Sequence, residues 1–180
     1  IIISFYFLLF VFMKKLLFII CFMPLFGFGQ QTYIPDDNFE SYLESNGMGN
    51  GIPNDDYVLS SNIYMVVNLN VSNQNISDLT GIEGFYSLEY LYCYSNQLTS
   101  IDITQNIFLE ELACNDNNLS SLDITQNIFL NYLDCKNNNL SSLDVTQNDS
   151  LSALYCSNNQ LTTLDVSNNV LLEGLNISNN

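Results

Sequence analysis

An ungapped 21-residue repeat constrains this chain more than any other feature of its sequence. Four full copies begin at Leu88, Leu109, Leu130 and Leu151, and a fifth begins at Leu172. A period of about 20 to 50 residues is typical of a solenoid, in which each unit stacks on its neighbours. A single unit is too small to hide its apolar side chains, so stability comes from the stacking.

Fixed columns within the repeat predict its buried side. In LxxLxC, the second leucine and the cysteine are two residues apart and point to the same side of a strand. In one copy the predicted inward positions are Leu109, Leu112, Cys114, Leu119, Leu122 and Ile124. The cysteine column comprises Cys93, Cys114, Cys135 and Cys156. We interpret these residues as small buried hydrophobes, with disulfides and a metal site as the alternatives.

Two asparagine columns recur at the predicted turns. The first column comprises Asn96, Asn117, Asn138 and Asn159. A buried bend leaves backbone groups unpaired, and an asparagine side chain can both donate to and accept from them. The second column comprises Asn106, Asn127, Asn148 and Asn169, and we expect it to do the same for the other half of each coil.

The pattern LxxLxCxxNxLxxLDVxxNxx resembles the leucine-rich repeat. It is most similar to the short bacterial variety called the IRREKO class, whose two half-repeats echo one another, as LNYLDCKNNN and LSSLDVTQND do here. Residues 76–91, ISDLTGIEGFYSLEYL, resemble the opening repeats of internalin-like proteins. The resemblance covers about residues 66–180. It implies an exported, parallel-stranded solenoid used for protein recognition or adhesion.

The predicted fold is a leucine-rich-repeat solenoid of stacked parallel β-strands with short loops and a small helical N-terminal cap. Residues 66–180 form the predicted solenoid, which we expect to be truncated because it stops in mid-repeat. Residues 30–65 form the predicted cap, in which Asp36 or Asp37 can begin a short helix. Phe39, Tyr42 and Leu43 share one face of that helix, and Gly47 would end it.

The N-terminal residues predict export. Met13-Lys14-Lys15 precedes an uncharged apolar run over residues 16–28, and small residues follow. We interpret residues 13–29 as a cleaved signal peptide and residues 1–12 as translated upstream sequence. The run is too short to span a bilayer comfortably, so no stable membrane span is predicted in the mature chain. A longer anchor and a lipoprotein with Cys21 as the lipid site are the alternatives. The predicted location is secreted or cell-surface.

The charge balance excludes some partners. The chain has 19 acidic residues, three basic residues and no histidine, and Lys136 is the only basic residue after the predicted leader. Nucleic acids need lysine and arginine to displace phosphate counterions, so a nucleic-acid partner is not expected. Anionic membrane surfaces are disfavoured for the same reason.

An outward-pointing row of aspartates lies in the second half of each repeat, at Asp102, Asp123, Asp144 and Asp165. Like charges one coil apart repel each other. A solvated, screened row is the simpler interpretation, and calcium bound between the carboxylates is the alternative. We therefore predict no metal site and no cofactor, with calcium left open.

A comparison of the repeats with one another predicts a binding face. The outward residues of the second half-repeats hardly change, whereas those of the first half-repeats vary. Variable positions on an open sheet suggest recognition of a protein or glycan ligand, and tyrosines supply rigid amphipathic contacts. The alternative is that tyrosine simply favours exposed strands. The candidate binding residues are Tyr90, Tyr92, Tyr94, Glu111, Asn115, Tyr132, Asp134, Lys136 and Tyr155.

No catalytic residues are predicted. The chain has no histidine to act as a base, no nucleophile elbow and no phosphate loop, and its carboxylates recur with the repeat. The predicted function is a non-enzymatic, secreted or cell-surface binding module for protein recognition or adhesion. A non-catalytic targeting arm of a larger exported enzyme and a structural surface or matrix protein are the alternatives.

Overall fold

A computed structural model describes residues 29–180, in which a small cap is followed by a solenoid of parallel strands. The predicted upstream segment and nearly all of the predicted signal peptide lie in residues 1–28, outside the described residues. The predicted leucine-rich-repeat solenoid with a helical cap is confirmed. No helix within residues 29–180 combines the length and apolar character that a bilayer crossing needs.

The cap combines two helices with a two-stranded sheet that the sequence did not predict. Strand β1 (Gln31–Tyr33) pairs antiparallel with β2 (Tyr57–Leu59), and helix α1 (Asp37–Ser45) lies between them in sequence. A short helix α2 (Ser60–Ile63) follows β2. The sheet of the cap is therefore separate from the sheet of the solenoid.

Asp36 both begins helix α1 and joins the cap to the solenoid. Its Oδ1 accepts hydrogen bonds from the backbone N–H groups of Asn38 and Phe39, each at 3.0 Å. Its Oδ2 accepts from the N–H and the hydroxyl of Ser77, both at 2.8 Å, and from the N–H of Asp78 at 3.2 Å. Burial alone would raise the pKa of Asp36, but these hydrogen bonds together lower it below its ordinary value.

The apolar face of the cap continues directly into the solenoid core. Phe39 and Leu43 of α1 are fully buried, as is Val58 of β2. The ring of Phe39 stacks on that of Phe85 in the first coil, with centroids 6.3 Å apart and an interplanar angle of 23°. Buried aromatic pairs of this kind stabilise the contact beyond the area they remove from water. The cap thus shields the first coil from solvent.

The solenoid is built on one six-stranded parallel sheet whose strands follow chain order. Each strand has three residues, and each coil returns to the sheet through short turns; the first return also contains a 3-10 helix, Ile82–Gly84. The strands are β3 (Asn68–Asn70), β4 (Tyr90–Tyr92), β5 (Glu111–Ala113), β6 (Tyr132–Asp134), β7 (Ala153–Tyr155) and β8 (Gly174–Asn176).

The register of the sheet aligns identical positions of successive repeats. Leu112 of β5 lies opposite Leu91 on one side and Leu133 on the other, and all three leucines are fully buried. The cysteine that follows each of strands β4 to β7 is buried in the same way, and the four cysteines of the column are free thiols. Burial raises the pKa of the Cys93 thiol to about 12, so the side chain stays protonated.

The first asparagine column closes the turn that follows each strand. In one coil, Nδ2 of Asn138 donates to the carbonyls of Cys114 and Cys135 at 3.0 and 3.1 Å. Its Oδ1 accepts from the N–H of Leu119 at 2.9 Å. The residue before it, Asn137, has a φ of 53°, a left-handed conformation that asparagine tolerates better than most side chains. Each asparagine of the first column therefore joins two coils through both the nitrogen and the oxygen of its side-chain amide.

The second asparagine column behaves differently from its prediction. Nδ2 of Asn127 donates to the carbonyls of Ile103 and Asn106 at 3.0 and 2.9 Å, but its buried Oδ1 accepts no hydrogen bond within residues 29–180. In the same turn, the N–H of Leu130 donates to the backbone carbonyl of Asn127. The expectation that this column both donates and accepts is wrong, because it only donates.

Candidate binding face

The structure brings all nine predicted binding residues onto one surface, the outward side of strands β4 to β7 and the residue two positions beyond each strand. We call this surface the sheet face. The sheet face has three columns of residues. Each coil contributes the first residue of its strand, the third residue of its strand, and the residue two positions after the strand. The first column contains Tyr90, Glu111, Tyr132 and Ala153. The second contains Tyr92, Ala113, Asp134 and Tyr155. The third contains Tyr94, Asn115, Lys136 and Ser157.

Tyr92 and Glu111 form a polar pair across neighbouring strands. The Tyr92 hydroxyl donates a hydrogen bond of 2.7 Å to Oε2 of Glu111. This hydrogen bond, together with partial burial and the carboxylate charge, raises the pKa of Tyr92 to about 12. The phenol therefore stays protonated, and remains a donor, at neutral pH.

Asp134, Lys136 and Tyr155 form a second group one coil further on. Nζ of Lys136 lies 3.1 Å from Oδ2 of Asp134 and 5.8 Å from the ring centroid of Tyr155. The hydrogen bond to Asp134 raises the pKa of Lys136. Tyr132 packs against Tyr155 with ring centroids 5.8 Å apart. This part of the face is therefore organised before any ligand binds.

A recess lies between these two groups, over Ala113. The neighbouring residues of its column are Tyr92 and Asp134, so the small side chain leaves a gap between two larger ones. The cavity has a volume of about 360 Å³ and is lined by Tyr92, Tyr94, Glu111, Ala113, Asn115, Tyr132 and Asp134. Sequence reasoning missed Ala113 as a functional position. The signal was one alanine in a column of larger residues.

The aspartate row lies on the second half-coils, away from the sheet face. Oδ1 of Asp123 accepts from the N–H of Thr125 at 2.9 Å and from its hydroxyl at 2.7 Å, and Asp102 and Asp144 repeat this arrangement. The threonine hydroxyl and N–H lower the pKa of Asp123, although the flanking carboxylates oppose the shift. One oxygen of each carboxylate thus stabilises its own turn. The prediction of a solvated row without metal stays a prediction, and calcium stays its alternative.

Three carboxylates in the cap also lie close together, those of Asp37, Glu40 and Asp56, each offering an oxygen within 4.8 Å of the others. Glu40 is fully buried and accepts hydrogen bonds from the N–H groups of Asp55 and Asp56 at 3.1 and 3.2 Å. Its carboxylate therefore holds the loop before β2 in place. This group has no signal in the sequence, because Asp56 lies 16 residues after Glu40 and only the fold brings them together.

Solved structures of known proteins share this coil architecture. The functional domain of InlJ from Listeria monocytogenes, which is described as including a cysteine ladder, superposes with a TM-score of 0.75 and 38% sequence identity. The match covers 83% of this chain and 33% of that one. The chain is an internalin-like leucine-rich-repeat protein. This chain has a column of four buried, free cysteines.

Two further structures resemble the internalin-like protein in fold. An internalin, InlF, from Listeria monocytogenes has a TM-score of 0.71 at 21% identity, over 78% of this chain and 42% of that one. A leucine-rich-repeat protein from Leptospira interrogans has a TM-score of 0.61 at 24% identity, over 67% of this chain and 33% of that one. The internalin-like protein thus spans less than half the length of each of these structures. No family model and no curated protein sequence matches it.

Proposed function

We propose that this internalin-like protein is a non-enzymatic binding module that recognises another protein through its sheet face. The observation that carries the proposal is the contrast between the two halves of each coil. The second half-coils repeat the same aspartate turn, whereas the three columns of the sheet face differ from coil to coil. A scaffold needs uniform turns, while recognition needs a surface that varies.

The composition of the sheet face suits protein recognition. Tyrosine offers a large contact area with few rotatable bonds, so little conformational entropy is lost when it binds. Tyr92 is held by Glu111, and Tyr155 is held between Tyr132 and Lys136. Residues that are already ordered lower the cost of association.

We further propose that the protein acts outside the cytoplasm, either secreted or at the cell surface. The support is the order of Met13-Lys14-Lys15, an apolar run and small residues, which is the order of an export signal. The likeness to the InlJ domain supports a role in protein binding or adhesion. The absence of histidine in the chain is consistent with a role that needs no catalytic base.

A selection experiment tests the proposal. A displayed library of random peptides and small folded domains is selected on the wild-type protein, and each binder is then measured on two variants. The first variant removes the rings of the face, with Tyr92→Ser, Tyr132→Ser and Tyr155→Ser together. The control changes the opposite half-coils, with Asp102→Asn, Asp123→Asn and Asp144→Asn.

We expect most selected binders to lose at least about tenfold in affinity on the tyrosine variant and less than about twofold on the aspartate variant. Circular dichroism and the thermal midpoint check that both variants fold. Binders that tolerate the loss of all three tyrosines would place recognition elsewhere and overturn the proposal. Binders found only among glycans, in a parallel array, would replace the protein ligand with a sugar.

A further inference from the structure

We propose that the cavity over Ala113 receives a basic side chain, the guanidinium of an arginine or the ammonium of a lysine, from the protein partner. The inference rests on the proposed function, because it assigns a ligand chemistry to the same sheet face. It goes further by naming one recess and the group that fits it.

The shape of the recess follows from the register of three strands. Ala113 lies between Tyr92 and Asp134, and strands in a sheet are only about 4.8 Å apart, so the larger neighbours become the walls of the gap. Along β5, Glu111 and Asn115 lie two residues before and after Ala113 and line the same cavity. The volume of about 360 Å³ is sufficient for the end of a long side chain.

The walls of the recess carry negative charge. Oε2 of Glu111 accepts from Tyr92, and the Glu111 side chain lines the cavity. Asp134, which is 7% exposed and pairs with Lys136, lines the opposite side. A carboxylate at the edge of a cavity favours a cationic donor, and such hydrogen bonds are stronger than neutral ones.

The aromatic side chains of the recess favour the same group. Tyr92, Tyr94 and Tyr132 line the cavity together with the two carboxylates. A guanidinium can stack on a tyrosine ring while its N–H groups bind a carboxylate, and an ammonium can lie over a ring in the same way. Neutral sugars also stack on aromatic rings, but they gain nothing comparable from the charge of Glu111, which unlike that of Asp134 is not paired with Lys136.

The next coil contains an internal example of this arrangement. There, Lys136 binds Asp134 and lies over the ring of Tyr155. In the coil of Ala113, the position of Lys136 is taken by Asn115. Lys136 is the one lysine or arginine within residues 29–180, and it already pairs with Asp134. The described part of the chain therefore offers no second basic side chain to Glu111, and a partner can supply one.

An NMR titration of the 15N-labelled protein tests the proposal with two small probes. The first is N-acetyl-arginine methylamide, and the second is N-acetyl-citrulline methylamide, which has nearly the same shape without the charge. Glu111→Gln removes one charge at constant size, and Ala113→Leu fills the recess. Asp123→Asn is the matched control, because it removes one charge from the opposite half-coil.

We expect the amide signals of Ala113 and its neighbours to shift with the arginine probe and not with the citrulline probe. The affinity should fall about tenfold in Glu111→Gln and at high salt, and be lost in Ala113→Leu, while Asp123→Asn stays within about twofold of wild type. Equal shifts with both probes, arginine shifts that survive both cavity variants, or no shifts at all would each overturn the proposal.

The two proposals can fail independently. Selected binders that depend on the three tyrosines but contain no basic residue, and that bind Glu111→Gln as well as wild type, would leave the proposed function standing and overturn the cation recess. Conversely, an arginine probe that binds over Ala113 while no selected binder depends on the tyrosines would support the recess and overturn the proposed function.

Discussion

The asparagine side chains at the two turns of each coil differ in how many hydrogen bonds they make. Asn138 pairs both its donor and its acceptor, whereas Asn127 donates twice and leaves a buried oxygen without a partner. A buried acceptor that makes no hydrogen bond costs about 1–3 kcal/mol, so the second column is the weaker of the two. The two columns have the same spacing in the sequence. They differ because a backbone N–H reaches the side-chain oxygen of Asn138, whereas none reaches that of Asn127 within residues 29–180.

Replacement of these asparagines by alanine should expose that difference. Asn138→Ala leaves the buried N–H of Leu119 without its acceptor. Asn127→Ala leaves no N–H in this way, because the side-chain oxygen that it removes accepts no hydrogen bond within residues 29–180. We expect Asn138→Ala to lower the free energy of unfolding by about 1–3 kcal/mol more than Asn127→Ala does. Urea unfolding followed by circular dichroism measures both, and equal losses would contradict this account of the turns.

The buried thiols should make the protein sensitive to alkali. Burial raises the pKa of Cys93 from its ordinary value of 9.0 to about 12 in the folded protein. The folded state therefore holds its proton where the unfolded chain releases it. The contribution to stability is fully present below pH 9 and is lost progressively as the pH rises from 9 towards about 12.

A cysteine variant isolates this effect from other groups that titrate in alkali. Between about pH 7 and about pH 10.5, the wild-type protein should lose roughly 2 kcal/mol more of its free energy of unfolding than Cys93→Ala loses. Urea unfolding at both pH values measures the difference. If wild type and Cys93→Ala lost the same amount, the thiol would not be protected by burial.

At the scale of the coil, stability depends on having a neighbour on each side. Leu133 of β6 lies between the equivalent leucines of β5 and β7 and is fully buried. Leu175 occupies the same position in β8 but is 46% exposed. The same residue type at the same repeat position should therefore contribute different amounts to the free energy of unfolding.

Alanine substitution at these two positions measures the contribution of stacking. Leu133→Ala should destabilise the protein by about 2–5 kcal/mol, because it leaves a cavity between two coils. Leu175→Ala should cost about 1 kcal/mol or less, since the side chain is already half in water. Thermal and urea unfolding give both values. Similar costs would indicate that each coil is stable by itself.

The repeat made the coils predictable, but other elements lacked such a signal. The columns at Leu112 and Cys114 follow from a period that four copies repeat. In contrast, β1 and β2 are three residues long, occur once, and pair across a separation of 28 residues between Gln31 and Leu59. The reach of Asp36 to Ser77, 41 residues away, is equally invisible in a single sequence.

The candidate site was predictable in part for the same reason. Comparison of the repeats selected nine of the twelve outward positions, because variation within the chain marks them. It did not select Ala113, since a small side chain is notable only when the strands on either side place Tyr92 and Asp134 next to it. A recess depends on the side chains of three adjacent strands, so it cannot be recognised from the variation at single positions of the repeat.

At the scale of the whole molecule, the excess of acidic residues opposes compactness. Asp102, Asp123 and Asp144 lie on successive coils and are exposed, and the charges of the outer two act on the pKa of Asp123. Repulsion of this kind is long-ranged at low ionic strength, where the Debye length is about 30 Å at 0.01 M salt. The protein should therefore gain stability when salt is added.

Thermal unfolding at increasing sodium chloride concentration tests this expectation. The midpoint temperature of the wild-type protein should rise between about 0.01 M and about 1 M salt, as the Debye length falls to about 3 Å. The triple variant Asp102→Asn, Asp123→Asn and Asp144→Asn keeps an oxygen for each threonine and should show a smaller rise. An equal rise in both proteins would locate the repulsion elsewhere.

The constant register of the strands has a consequence for how such a surface can change through gene rearrangement. An in-frame loss of residues 109–129 would remove one whole repeat, join the first full repeat to the third, and leave every leucine, cysteine and asparagine column continuous. The shortened protein would still fold by the same stacking, yet Tyr92 would now face Asp134 directly and the recess over Ala113 would vanish. Unequal crossing-over can therefore exchange one ligand preference for another in a single step, because the remaining coils keep their stacking.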